Sequence, residues 1–138
     1  MRVRVFMSAV VATALFGSSA MAAEPSHIRY DNYTMCAAYM QEQVQGRIDS
    51  GKPAEADILK PAVKQLQTKA LNQGALMNYS AERVTKDIAD ARAHVASLLK
   101  SKSGPDLTAF VRASGEHCVL VNFGMNGAED KQKLFFAR

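Results

Sequence analysis

The residues best suited to chemistry in this chain lie in the segment 114–118, which has the sequence SGEHC. Thiolate sulfur and imidazole nitrogen are common ligands of zinc and copper. If the thiols were reduced, Cys118 and His117 could combine with Cys36, and with His94, in a nitrogen and sulfur metal site. Cys36 and Cys118 are also the only two cysteines of the chain, so the alternative to a metal site is a disulfide between them.

A haem site is the second chemical interpretation of these residues. Small exported four-helix bundles can hold haem between a methionine on the first helix and a histidine on the last. Met35 and Met40 lie close to Cys36, and His117 lies beside Cys118, so a disulfide would bring these candidates together. Methionine is also a common filler of hydrophobic cores, and His117 lies one position off the expected inward face. We therefore expect no cofactor, and keep His117 and Met40 as the weaker, ligand-binding alternative.

The first residues of the chain have the pattern of a secretory signal peptide. Two arginines are followed by an apolar run over residues 6–16, and AMA at 20–22 is a small-x-small cleavage site. The apolar run is shorter than the roughly 20 residues that a membrane-spanning helix needs. The sequence therefore predicts that 1–22 is a cleaved signal peptide, that 23–138 is a single helical domain, and that this domain is periplasmic or secreted.

Export decides between the two roles of the cysteines, because an oxidising compartment favours a disulfide over free thiols. A bond between Cys36 and Cys118 would close a loop of 82 residues. On the chain-entropy model, a loop of that length stabilises the fold by roughly 4 kcal/mol. That would be a large share of the stability of a domain this small.

Composition limits the partners of the exported domain. Its 116 residues suffice for one domain. Loss of the two N-terminal arginines leaves 15 basic and 13 acidic residues, a net charge of +2. So small an excess does not indicate binding to nucleic acid or to an anionic membrane surface. No later segment has the length that insertion into a membrane requires.

Apolar residues recur at spacings of three and four along four segments, which predicts four amphipathic helices. A flexible lead-in over 23–31 is expected to precede the first helix. Asp31 or Asn32 would cap that helix, because either side chain can accept a hydrogen bond from the first turn. Ser50 and Gly51 would end it.

The second and third helices carry their own start and stop signals. Pro61 should divide the second, by a kink or a break, into a short turn of helix over 54–60 and a main helix over 61–73. Ser80 is the expected cap of the third helix, which should end near Lys100, where basic residues favour the negative end of the helix dipole.

Ser103 is expected to start the fourth helix and Gly124 to end it, followed by a flexible or docked tail over 125–138. Four helices with short connections predict an all-α protein that forms a small antiparallel bundle. In that arrangement Cys36 and Cys118 lie at the same end, so that a disulfide joins helix 1 to helix 4.

Aromatic side chains provide the candidates for a binding surface. Tyrosine is common at protein interfaces because its ring buries well while its hydroxyl finds a polar partner. We therefore mark as possible partner-binding residues Tyr30, Tyr33, Tyr39, Phe135 and Phe136. The alternative is that Tyr33 packs in the core, that Tyr39 is simply exposed, and that the two phenylalanines dock on the bundle.

The chain has none of the local signatures of common active sites. H-E-x-x-H, G-x-S-x-G, G-x-x-x-x-G-K and C-x-x-C-H are all missing. We therefore expect a non-enzymatic exported protein that binds another protein. The class of small exported helical proteins with one disulfide includes inhibitors, immunity proteins that neutralise secreted toxins, and stress chaperones. The alternative is a periplasmic haem- or metal-binding helical bundle.

Overall fold

The chain folds into four long helices, followed by a short turn. The structure, a computed structural model, describes residues 24–132. Its elements are α1, His27–Asp49; α2, Pro53–Leu76; α3, Ala81–Lys100; α4, Gly104–Phe123; and a 3-10 helix, Ala128–Asp130. Within this range there is no β-strand, which confirms the prediction of an all-α fold. None of these helices is long and apolar enough to cross a membrane.

Local signals account for most helix ends. The Ser80 side chain accepts a hydrogen bond from the backbone N–H of Arg83, 3.1 Å away, as expected of a cap. Gly51 and Gly124 have φ angles of 72° and 63°, and these left-handed conformations end α1 and α4. The stops expected at these two glycines are confirmed.

The first helix begins earlier than the sequence suggested. We expected a cap at Asp31 or Asn32, but the cap is Ser26, whose side chain accepts from the N–H of Arg29 at 3.2 Å. Residues 27–31, which we assigned to the lead-in, form the first turn of α1. They are held there by tertiary contacts, since Tyr30 is buried. Ser26, five residues before Asp31, serves as the cap because packing supports the additional turn of helix.

The second helix runs through Pro61 without ending, so the prediction of two separate helices is wrong. Proline removes one backbone hydrogen bond and crowds the preceding turn. Here Pro61 and Asp57, whose carbonyl would have accepted that bond, are both exposed. On either side of them Ala56 and Leu66 are fully buried. Packing of both halves on the same core keeps the helix continuous.

The order of contacts along the helices gives an antiparallel bundle. Asn32 meets His117 on α4, whereas Tyr39, two turns further along α1, meets Val111, so α1 and α4 run in opposite directions. The Arg47 side chain pairs with Glu55 across the connection between α1 and α2, which therefore also run antiparallel. The disulfide joins α1 to α4, as predicted.

The core surrounds α1, which contacts α2, α3, α4 and the C-terminal 3-10 helix. Seven consecutive residues of α1, 34–40, are buried, so this helix has no solvent-facing side over that stretch. By contrast, α2 and α3 contact each other little, and α4 packs mainly on α1. The fold is therefore a central helix with three helices around it.

Candidate functional site

The disulfide is buried in the middle of the core. Cys36 and Cys118 are 0% and 1% exposed, and their Cα atoms are 5.2 Å apart. The described part of the chain contains no free cysteine. With both sulfurs in the bond, neither thiol serves as a ligand for a metal.

His117 lies in a buried polar network and not on the surface. Its Nε2 donates to Asn32 Oδ1 at 3.0 Å, and both residues are at most 5% exposed. An amide oxygen only accepts, so Nε2 carries a proton in this arrangement. We had placed His117 one position off the inward face. It is buried because the residues after α4 fold back over that side of the bundle.

These residues, 125–131, form what we call the C-terminal turn, and Asn32 holds it against α1. The Asn32 Nδ2 donates to the carbonyl oxygens of Glu129 and Lys131 at 2.8 and 3.1 Å. At the surface, Arg29 forms a two-pronged ion pair with Asp130, with distances of 2.5 and 2.9 Å. This hydrogen-bonded pair lowers the pKa of Asp130. The described part of the tail is thus docked on α1.

Replacing Asn32 with alanine is expected to release the C-terminal turn. The free energy of unfolding should fall by only ~1 to 2 kcal/mol, because the turn can open and its carbonyl groups can then hydrate. Hydrogen exchange measured by mass spectrometry should show faster exchange over 125–131. As a control, Arg29→Ala removes an exposed ion pair and should cost less than ~1 kcal/mol. Unchanged exchange over the turn in Asn32→Ala would contradict this role.

The haem alternative needed a methionine of α1, Met35 or Met40, to face one ligand together with His117. Met35 is 4% exposed and packs in the core, and Met40 does not lie level with His117. His117 is level with Asn32, and Met40 lies eight residues further along α1, about 12 Å along the helix axis. Met40 is 8% exposed and belongs to the core. Among residues 24–132, no group of three His, Cys, Asp or Glu side chains is placed to hold a metal ion.

Two of the three candidate tyrosines are core residues. The Tyr30 hydroxyl donates to Asp87 at 2.6 Å, and the Tyr39 hydroxyl donates to the Val111 carbonyl at 2.9 Å. Both side chains are at most 5% exposed, so neither offers a surface to a partner. Tyr39, which we considered exposed, is buried because three helices surround α1.

Of the remaining aromatic candidates, one lies partly at the surface and two lie outside the described residues. Tyr33, marked as a possible partner-binding residue with core packing as the alternative, packs against the core but is only partly buried. The Lys69 ammonium lies 5.9 Å from the centre of its ring. Burial raises the pKa of Tyr33, and the neighbouring Glu129 raises it further. Phe135 and Phe136 lie outside the described residues. Tyr33 is thus the one tyrosine of the three with a surface that a partner can reach.

Burial of the tyrosines predicts a loss of stability at high pH. Burial raises the pKa of Tyr39 to about 12, partly opposed by the charge of Arg47. Burial and the hydrogen bond to Asp87 also raise the pKa of Tyr30. A raised pKa favours the neutral form in the folded state. The resulting stability is fully present below the unfolded-state pKa of about 10 and is lost as the pH rises through the folded-state pKa.

Urea unfolding monitored by circular dichroism should therefore show a free energy of unfolding that falls above about pH 10. In Tyr39→Phe this fall should be shallower, while stability at neutral pH drops by ~0.5 to 1.5 kcal/mol through loss of one hydrogen bond. Parallel pH profiles of the two proteins would show that Tyr39 ionises as easily in the folded chain as in the unfolded one.

An open groove lies where α2 and α3 leave part of α1 uncovered. A cavity of about 380 Å³ lies between α2 and α3, and a second of about 460 Å³ continues along α1 and α2 toward their connection. Gln41, Gln67 and Arg92 line both cavities, so they form one continuous groove. We call it the α2–α3 groove.

The walls of the α2–α3 groove are mainly apolar. In the first cavity Leu71 faces Val84 and Ile88 across the space between α2 and α3. In the second, Val44 and Val63 form the apolar part of the lining. Leu71 is 40% exposed, so part of its side chain is accessible within the groove. The groove combines an apolar floor with polar glutamines, as binding sites do.

The sequence analysis did not identify this groove, although one signal points to it. Residues 58–81 contain three lysines and no acidic residue, whereas the described segments before and after them contain both acidic and basic residues. Two of these lysines, Lys60 and Lys64, line the groove together with Arg92. The periodicity of α2 predicted its buried face. It did not predict that α3 would leave the adjacent surface of α2 uncovered.

Comparison with family models, with curated proteins and with solved structures finds no match to this chain. Its function is therefore inferred from its own residues.

Proposed function

We propose that this protein is an exported, non-enzymatic helical protein that acts by binding a segment of another protein in the α2–α3 groove. The observation that carries the proposal is the open, apolar-floored groove between α2 and α3, formed by two adjoining cavities. A groove of this kind between two helices is a common receptor for an amphipathic helix of a partner. Inhibitors, immunity proteins and chaperones all act through such contacts.

The proposal of export rests on the predicted signal peptide, and the disulfide supports it. A buried disulfide suits a protein that folds in an oxidising compartment. After expression in a bacterium with a periplasm, N-terminal sequencing of the periplasmic protein should begin at Ala23. Recovery only from the cytosol, with the first 22 residues still attached, would contradict export.

A binding function is favoured over catalysis by the state of the most reactive residues. Cys36 and Cys118 are bonded to each other. His117 donates to Asn32 in the interior and serves to position the C-terminal turn. The chemically dense segment 114–118 therefore acts as part of the scaffold in this proposal, and the groove on the other side of α1 is the working surface.

The proposal can be tested by selecting displayed random peptides of about 12 residues, long enough for three helical turns, on the oxidised, exported protein. Peptides that use the groove should lose binding to Ala89→Trp, because Ala89 is exposed and lines the first cavity. Ala113→Trp, the same change on the exposed face of α4, is the matched control and should bind as the wild type does. If no selected peptide distinguishes the two variants, the groove is not a binding site.

A further inference from the structure

The charged side chains that line the α2–α3 groove are all basic. Three cations, Lys60, Lys64 and Arg92, line its second cavity, and no carboxylate does. Two acidic residues outside the lining reach two of these cations: Asp57 bonds Lys60 at 2.6 Å, and Glu42 accepts from Arg92 at 2.5 Å. These pairs hold Lys60 and Arg92 at the edge of the groove.

Lys64 differs from the other two cations because its ammonium group has no ion pair or hydrogen bond within the described residues. It is exposed on α2, one turn after Lys60. Its nearest acidic neighbour in the sequence before it is Asp57, which already bonds Lys60. A free ammonium beside an apolar surface attracts a carboxylate while leaving apolar contacts available to the rest of the ligand.

The dimensions of the groove suit a short helix. From Lys60 to Leu71 the groove follows twelve residues of α2, and the eleven steps between them span about 16 Å at 1.5 Å per residue. A partner helix of about three turns has this length and places one apolar face on Val63, Leu71 and Ile88. Its flanking residues then lie beside the cations on α2 and α3.

Resting on the proposed function, we infer that the groove selects an acidic amphipathic helix of a partner protein. Apolar side chains of that helix pack on Val63, Leu71 and Ile88. Its carboxylates pair with Lys64 first and with Lys60 and Arg92 at the edges. Charge complementarity supplies specificity and speeds association, while the apolar floor supplies most of the affinity.

The test compares two charge reversals in the oxidised, exported protein. Lys64→Glu alters the groove, and Arg112→Glu makes the same change in net charge on the exposed face of α4. Peptides selected on the wild type, and blocked by Ala89→Trp, should be enriched in Asp and Glu over the starting library. Their affinity should fall about five- to tenfold on Lys64→Glu, since an attraction becomes a repulsion. It should be unchanged on Arg112→Glu, and it should weaken as salt is added.

Failure of this inference differs from failure of the proposed function. Groove-dependent peptides with no excess of acidic residues, or with equal affinity for Lys64→Glu and the wild type, would overturn the acidic preference and leave the groove as a binding site. Absence of any peptide that Ala89→Trp blocks would overturn both. Melting temperatures of the three variants, each changed at an exposed position, establish that they are folded.

Discussion

Replacing both cysteines with alanine is expected to lower the free energy of unfolding by ~2 to 5 kcal/mol. The bond between Cys36 and Cys118 closes a loop of 82 residues, so its removal restores a large amount of conformational freedom to the unfolded chain. Both side chains lie in the core, so alanine also leaves a small cavity. Urea unfolding monitored by circular dichroism measures the change.

The loss should be uneven along the chain. The helix α4 packs mainly on α1 and only slightly on α2, and the disulfide is its covalent link to α1. Hydrogen exchange in the double variant should therefore rise more in 104–131 than in α2 and α3. The wild type unfolded and refolded with a reducing agent is the control, and it should behave like the double variant. An unchanged urea midpoint would mean that noncovalent packing alone holds α4.

Replacing Gly74 with alanine should destabilise the fold by ~1 to 3 kcal/mol, although alanine is the better helix former. A Cβ at this position would lie 2.6 Å from Cγ2 of Val84 and 3.3 Å from a ring carbon of Tyr30. Val84 is 1% exposed, and a β-branched side chain in a helix has one strongly preferred rotamer, so it cannot turn aside. The start of α3 would have to move away from α2.

Gly46 provides the matched control for this substitution. It lies within α1, and a Cβ added there would meet no atom within 4 Å. Gly46→Ala should therefore stabilise the protein by up to ~1 kcal/mol through helix propensity alone. Thermal unfolding of the two variants should shift in opposite directions. If both raise the melting temperature, the contact of Gly74 with Val84 is looser than the structure indicates.

Several elements follow from the sequence because their causes are local. Ser80 caps α3, and Val84, Ile88, Ala91 and Val95 form its buried face, as the three- and four-residue spacing predicted. The disulfide could be predicted because the chain has only two cysteines and both were expected to face inward. A cap, a helical period and a single possible pairing each depend on a few residues, so the sequence alone determines them.

The surroundings of α1 depended on the whole fold. Periodicity predicted one buried face for this helix, but Tyr39 is buried as well because α2, α3 and α4 all pack on α1. Pro61 remained helical for a related reason, since packing on both sides of it outweighed the lost hydrogen bond. Periodicity assigns a helix one buried side. Periodicity does not show how many other helices pack around that helix.

The features of the candidate site also divide into those that local sequence determines and those that depend on the tertiary structure. The sequence by itself determined the helical fold, the Ser80 cap of α3 and the covalent link between α1 and α4. Only the tertiary structure decided that His117 turns inward to Asn32, and that α2 and α3 separate to expose the groove lined by Leu71 and Lys64. Both results depend on contacts between segments far apart in the chain. Local patterns do not encode them, because the distance between two packed helices is set by every side chain between them.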